Sequence, residues 1–195
     1  MGEKSIQKKQ YILEKAKNVF VSKGYKNVTM KDIVEECEIS RGGLYLYFES
    51  TRELFVEVLK MESQDNDDEL TVAISETDTS ADILALFLKE QKKELLKRKN
   101  QLQVAVYEFF FENYEPKKDN LLRNQFNQAV SVIEKLISEG VENGEFVCTD
   151  PLGAARNIMY VLEGMKISAH TMGITEEMVN RELLYIMKGL VEPEE

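Results

Sequence analysis

Ser40-Arg41-Gly42-Gly43-Leu44-Tyr45-Leu46-Tyr47 is the stretch of this 195-residue chain whose residue types and spacing carry a chemical reading. Gly42 and Gly43 fall in what reads as the first turn of a helix. An exposed Gly inside a helix costs about 1 kcal/mol relative to Ala. What it offers in return is bare backbone that another surface can approach closely. Arg41 flanks the bare patch and can reach guanine O6 and N7 or a phosphate. The Tyr45 hydroxyl and the helix N-terminus both suit phosphate oxygens, and Leu46 can touch a thymine methyl group. With two glycines and a leucine at the tip, direct base reading is thin, so the shape of the duplex contributes.

Catalytic chemistry finds no comparable set. His170 is the one histidine, and it reads as a structural or surface residue. No HExxH or clustered Cys/His run supports a metal site, and no GxSxG elbow or Gly-rich phosphate loop occurs. Carboxylates are plentiful but sit as helix-surface charges. Neither an enzyme nor a bound cofactor is expected.

Two short helices within Thr29–Phe48 must position the tip. Thr29 caps the first through the Asp32 N–H, with Asp32 reaching back in a capping-box variant. Val28 and Ile33 are its staple pair, and Met30, Ile33, Val34 and Cys37 form its apolar stripe. Ser40 caps the second helix, with Ile39 and Leu44 as staple and Leu44, Tyr47 and Phe48 on one buried face. So short a joint forces a steep crossing, the helix-turn-helix arrangement. Ahead of it, Ser5–Lys23 reads as a helix with Ile12, Leu13, Ala16, Val19 and Phe20 inward, closed by Gly24. Lys4, Lys8 and Lys9 at its start are either a solvated surface or a phosphate-contacting arm.

The net charge of −10 runs against a nucleic-acid partner until it is divided along the chain. Residues 1–60 hold 11 Lys/Arg and 9 Asp/Glu, a net of +2; the rest holds 14 and 26, a net of −12. The basic groups gather where DNA would lie, and the acidic remainder helps orient the approach. No apolar run approaches a membrane span, and Met1–Gln10 lacks the apolar core of a signal peptide. Cys37 and Cys148 lie far apart without motif spacing and read as reduced thiols in a cytoplasmic protein.

The run Ile39–Phe48, followed by Ser50 and Glu53-Leu54-Phe55, resembles the DNA-binding region of the TetR family of bacterial transcriptional regulators. Upstream, Ala16, Phe20, Gly24-Tyr25 and Val28–Ile33 continue the match without a gap. Two positions depart from the family pattern. Glu38 stands where the family usually has Gly, which would cost roughly 1–2 kcal/mol if the backbone there is left-handed. Thr51 stands where a phosphate-holding Lys is usual, with Arg52 beside it as a substitute. The resemblance implies an all-α chain of about nine helices. A three-helix DNA-binding domain over residues 1–50 is followed by a larger ligand-binding and dimerisation domain over 51–195. It carries DNA contact onto Thr29, Ser40, Arg41, Gly42, Gly43, Tyr45, Leu46, Tyr47 and Arg52.

Past the tip, Thr51 to about Ser63 reads as a fourth helix, which the acidic stretch Gln64–Glu69 either continues or frays. Ser80 is placed as the cap of a fifth. Its cluster Lys89, Lys92, Lys93, Lys97, Arg98 and Lys99 reads as a solvated face. A sixth helix from Asn100 to Tyr114 is apolar all round, so burial on several sides is expected. A seventh spans Asp119–Asn143, and Asp150-Pro151 is a strong start for the eighth. Thr175 caps the ninth. The last two helices are two-faced: Leu152, Ala155, Met159 and Leu162 against Ile158, Val161 and Met165 on the eighth, and Val179, Leu183, Ile186 and Leu190 against Leu184, Met187 and Val191 on the ninth, so one face of each can serve the core and the other needs a partner. A symmetric homodimer would supply it, as the resemblance also implies.

The resemblance further implies a small apolar effector in the body, with Phe87, Tyr107, Phe110, Phe111, Phe126, Met159 and Glu163 as lining candidates. Each ring taken singly reads more readily as core packing than as pocket lining. Glu108, Glu112 and Glu163 fit a surface or dimer role better than selection of a cationic ligand. The leading reading is a ligand-released repressor bound as a dimer to a palindromic operator. The alternative is a helical hydrophobic-ligand adaptor that never touches DNA, which leaves the Arg-Gly-Gly tip unexplained.

Overall fold

A computed structural model describes residues 2–73, 78–97, 102–113 and 120–191. Every element among them is helical: α1 (Glu3–Lys23), α2 (Met30–Cys37), α3 (Arg41–Tyr45), α4 (Thr51–Ala73), α5 (Ser80–Leu96), α6 (Leu102–Glu112), α7 (Leu121–Glu142), α8 (Pro151–Thr171) and α9 (Glu176–Lys188). The expected boundaries at Lys99, Asn100, Tyr114 and Asp119, and Arg98 of the basic cluster, lie outside the described residues. No helix among the described residues is long and apolar enough to cross a membrane.

Local chemistry starts most of these helices. Thr29 and Asp32 make the capping box of α2 in both directions, and Ser40 Oγ accepts the Gly43 N–H at 3.1 Å to start α3. Asp150 with Pro151 opens α8, and Thr175 opens α9. The expected cap of α5 moves by one residue: Thr79 caps it in a box with Asp82, and Ser80 is buried as its first residue. Of the two readings of the acidic stretch Gln64–Glu69, continuation holds: α4 runs on through it to Ala73.

The chain forms two compact units. The first holds α1–α4 and α6; the second holds α5 and α7–α9. Packing joins α4 and α6 to α1–α3 in the first unit. In the first unit α1 packs on α2, α4 and α6. Ile12, Phe20, Ile33, Leu44, Phe48, Leu54, Phe55 and Phe109 fill its centre. Phe20 meets Phe55 with ring centroids 4.6 Å apart, and Phe109 meets Tyr25 at 4.9 Å and Phe55 at 5.2 Å. Aromatic pairs at such separations add about 0.5–1.5 kcal/mol to the area they bury.

In the second unit α7 lies along α8, and α5 packs on α7, α8 and α9. Leu84, Leu88, Ile133, Ile137, Ala155, Leu162 and Val179 form its centre. From both apolar faces of α8 side chains turn into this core: Ala155, Met159 and Leu162 of one and Ile158 and Met165 of the other are buried within the chain. On the sixth helix Leu102, Ala105 and Phe109 are buried, while Phe111 is 82% exposed and Val104 is also exposed.

Candidate nucleic-acid interface

The joint between α2 and α3 is built on a strained residue. Glu38 ends α2 with φ 51° and ψ 40°, the left-handed region, and is the one non-glycine with positive φ among the described residues. A side chain costs roughly 1–2 kcal/mol there. The turn brings α3 into place with its Leu44 side buried and its Arg41, Gly42, Tyr45 and Leu46 side exposed. The helix α3 is only five residues long, and Leu46 and Tyr47 continue it as a turn.

The exposed side has the expected chemistry. Leu46 is 82% exposed, an apolar side chain held in solvent with nothing in its own chain to cover it. The Arg41 guanidinium lies over the Tyr45 ring, 5.5 Å from its centroid. A Cβ added at Gly42 would meet nothing within 4 Å, so no neighbour within the chain requires glycine there. At Gly43 it would come within 3.1 Å of the Ser40 Oγ that caps the helix. The bareness of Gly42 is therefore space offered outward, and that of Gly43 protects the cap.

The other expected contact residues divide. The Thr29 hydroxyl is spent on its cap, donating to Asp32 Oδ2 at 2.5 Å. Lys23 adds a 2.6 Å ion pair to the same carboxylate. That ion pair first, then the Thr29 hydroxyl and N–H, hold the Asp32 carboxyl well below the usual carboxylate range. Tyr47 is half-buried, its hydroxyl accepting from Ser5 Oγ at 3.4 Å, which ties the start of α1 to the turn after α3. Arg52 is exposed in the first turn of α4. Of the N-terminal lysines, Lys9 is anchored by Glu57 at 2.7 Å and lies over the Phe48 ring, whereas Lys4 and Lys8 are exposed.

The ligand-lining candidates fall in both units. Tyr107, Phe110 and Phe111 ride on α6 in the first. Phe87, Phe126, Met159 and Glu163 belong to the second, where Met159 is buried and Phe87 and Phe126 pack against the core. Glu163 pairs with Lys166 at 2.8 Å. Tyr160 and Ile167 of α8 and Leu184 and Tyr185 of α9 are exposed, as is Val191 just beyond α9. A groove of about 470 Å³ runs between these helices, with Ala154, Ile158, Val161, Tyr185 and Ile186 on its walls.

Glu108, expected in a surface or dimer role, instead binds within the chain. Glu108 of α6 accepts the backbone N–H of Tyr25 at 2.7 Å and of Lys26 at 3.1 Å. A carboxylate beside the aromatic run of α6 was the signal available, and it does not name its partners.

Comparison with known proteins agrees with this architecture. The sequence pattern of "Bacterial regulatory proteins, tetR family" matches residues 12–58, and that of "Tetracyclin repressor-like, C-terminal domain" matches residues 83–180. The chain is 32% identical to the helix-turn-helix-type transcriptional regulator YfiR of Bacillus subtilis over 142 residues, 72% of this chain and 69% of YfiR. It is 28% identical to the regulator QacR of Staphylococcus aureus over 188 residues, 93% of this chain and 97% of QacR. The reduced form of NemR from E. coli superposes with a TM-score of 0.80 at 14% identity, over 96% of this chain and all of that one, a likeness of fold. The chain belongs to the TetR family of bacterial regulatory proteins. It is a DNA-binding transcriptional regulator of the helix-turn-helix type.

Proposed function

We propose that this regulator is a repressor. Two copies bind a palindromic operator through residues 1–50, and a small apolar ligand taken up by residues 51–195 releases them. The observation that carries the DNA half is the exposed tip of α3. Arg41, Tyr45 and Leu46 stand out around a glycine whose missing Cβ leaves open space. Arg41 reads a base or holds a phosphate, Tyr45 holds a phosphate, and Leu46 meets a thymine methyl group. Ser40, Gly42 and Gly43 shape the approach, while Tyr47, Thr29 and Arg52 border it.

Dimerisation through α8 and α9 is supported by their exposed apolar side chains and by the groove between them. A two-fold pair of such faces is self-complementary. The two tips would then enter successive major grooves, about 34 Å apart. For the ligand, Phe87, Phe126, Met159 and Glu163 are the candidates in the second unit, and Tyr107, Phe110 and Phe111 on α6. A ligand releases DNA only to the extent that it binds one arrangement of the heads better than the other.

The test is selection of bound fragments from genomic DNA, followed by titration across a salt series against random DNA. Two chains per symmetric site, binding that falls steeply with salt, and loss with Tyr45→Ala are the expected results. Absence of any bound fragment at low salt would leave the adaptor reading instead.

A further inference from the structure

The Glu108 carboxylate reaches the turn between α1 and α2 from a helix more than eighty residues away in sequence. It accepts two successive backbone N–H groups, Tyr25 at 2.7 Å and Lys26 at 3.1 Å. Gly24, with φ 74°, is the residue before them, and a Cβ there would stand 2.7 Å from Glu108 Oε2. Two contacts flank the carboxylate. Lys26 Nζ pairs with Glu112 at 3.2 Å, and the Phe109 ring meets the Tyr25 ring edge-on.

This turn sits directly before the Val28-Thr29 start of α2, and α2 leads through the strained Glu38 into α3. A short turn with a left-handed glycine has little stiffness of its own. Its two N–H groups point out of α1 and find no partner in their own segment. The carboxylate supplies that partner. Among the described helices of the head unit, α6 is the one whose chain neighbours on both sides, α5 and α7, belong to the other unit.

We infer that Glu108 is a positioning residue for DNA binding: its carboxylate holds the Tyr25–Lys26 turn, and so sets α2 and α3 relative to α6. The inference rests on the DNA-binding reading of the α3 tip. It adds that the register of the tip depends on an acceptor carried by a helix that does not touch DNA in that reading.

Glu108→Gln and Glu108→Ala test it together. Both remove one negative charge, so they change the general attraction to DNA alike. Only Gln keeps an oxygen that can accept the two N–H groups. Binding to fragments selected with the wild-type protein is compared with binding to random DNA. Relative to Gln, Ala is expected to lose about tenfold on selected DNA, the consequence of leaving turn donors unpaired, with no difference on random DNA. A residue that only stabilised the fold would lower the melting temperature and leave the ratio of selected to random binding unchanged. Equal affinities of Gln and Ala on selected DNA would overturn the inference.

Hydrogen exchange gives a reading that needs no DNA. In the wild-type protein the amides of Tyr25 and Lys26 are expected to exchange at least ~5-fold slower than unstructured amides, and to lose that protection in Glu108→Ala but not in Glu108→Gln, with the α8 amides unchanged. Wild-type amides that exchange as fast as unstructured ones would overturn the inference even if the Ala variant did not fold. If the wild-type protein selected no DNA at all, the functional reading would fail on its own, and exchange would still decide whether Glu108 holds the turn.

Discussion

The guanidinium of Arg41 stacks over the ring of Tyr45, 5.5 Å from its centroid, on the exposed side of a five-residue helix. Arg41 is therefore oriented before it meets a partner, with less rotamer freedom to lose on binding. Arg41→Ala is expected to cost about 1–3 kcal/mol on selected DNA if the group makes a bidentate base contact. Equal weakening on selected and random DNA would instead assign it to phosphate. Tyr45→Phe keeps the stacked ring and removes the hydroxyl, so it separates orientation from phosphate contact in the same titration.

Glu38 holds a left-handed backbone at the joint of the two helices. Glu38→Gly is expected to stabilise the protein by roughly 1 kcal/mol, since the steric cost of the side chain outweighs the added freedom of the unfolded chain. Glu38→Ala keeps the Cβ and should show no such gain. Urea unfolding of the three proteins measures it. A Gly variant no more stable than the Ala variant would show that the surrounding turn already relieves the strain.

Acid should weaken the start of α2. The Asp32 carboxyl lies below its ordinary value in the folded state because Lys23 and Thr29 donate to it. A carboxyl depressed by folding adds stability above its unfolded value, about 3.9, and loses it as pH falls through that value toward the folded one. Asp32→Ala is expected to cost about 1 kcal/mol at pH 7 through the lost cap. The difference from wild type should shrink below about pH 4. Thermal unfolding at pH 7 and pH 3 reads both, and a constant difference would remove Asp32 from the acid response.

Leu184 and Tyr185 stand exposed side by side on α9, at 53% and 64% of their full accessibility. If a second copy covers them, Leu184→Glu places a charge in an apolar interface and should shift the molecule toward monomer in sedimentation. Its helix content should stay unchanged, because the side chain is not part of the chain's own core. Selected-DNA affinity should fall with the dimer. A variant that sediments like the wild type would exclude this part of α9 from the interface.

Local chemistry made several helix starts in both units legible from sequence. Thr29 with Asp32, Ser40 with Gly43, Asp150 with Pro151 and Thr175 each act within three residues, so spacing alone identifies them. The exposed tip of α3 followed from the same logic, because Leu44 was the stapled, inward position and its neighbours had to face away. Thr79 displaced Ser80 as a cap because only Thr79 has an Asp three residues on to close the box, and Ser80 is buried as the first residue of α5. The ring of apolar residues on α6 said that the helix had much to bury but not which side would be covered. Tertiary packing chose Phe109 for the aromatic cluster and left Phe111 exposed. It likewise turned Ile158 and Met165 of α8 inward, since a two-faced helix does not say which neighbour meets which face. Glu108 lies at the far end of this range. Its partners are backbone N–H groups, which every residue but proline carries, so no side-chain pattern could point from α6 to the turn at Tyr25, and only the folded chain brings them together.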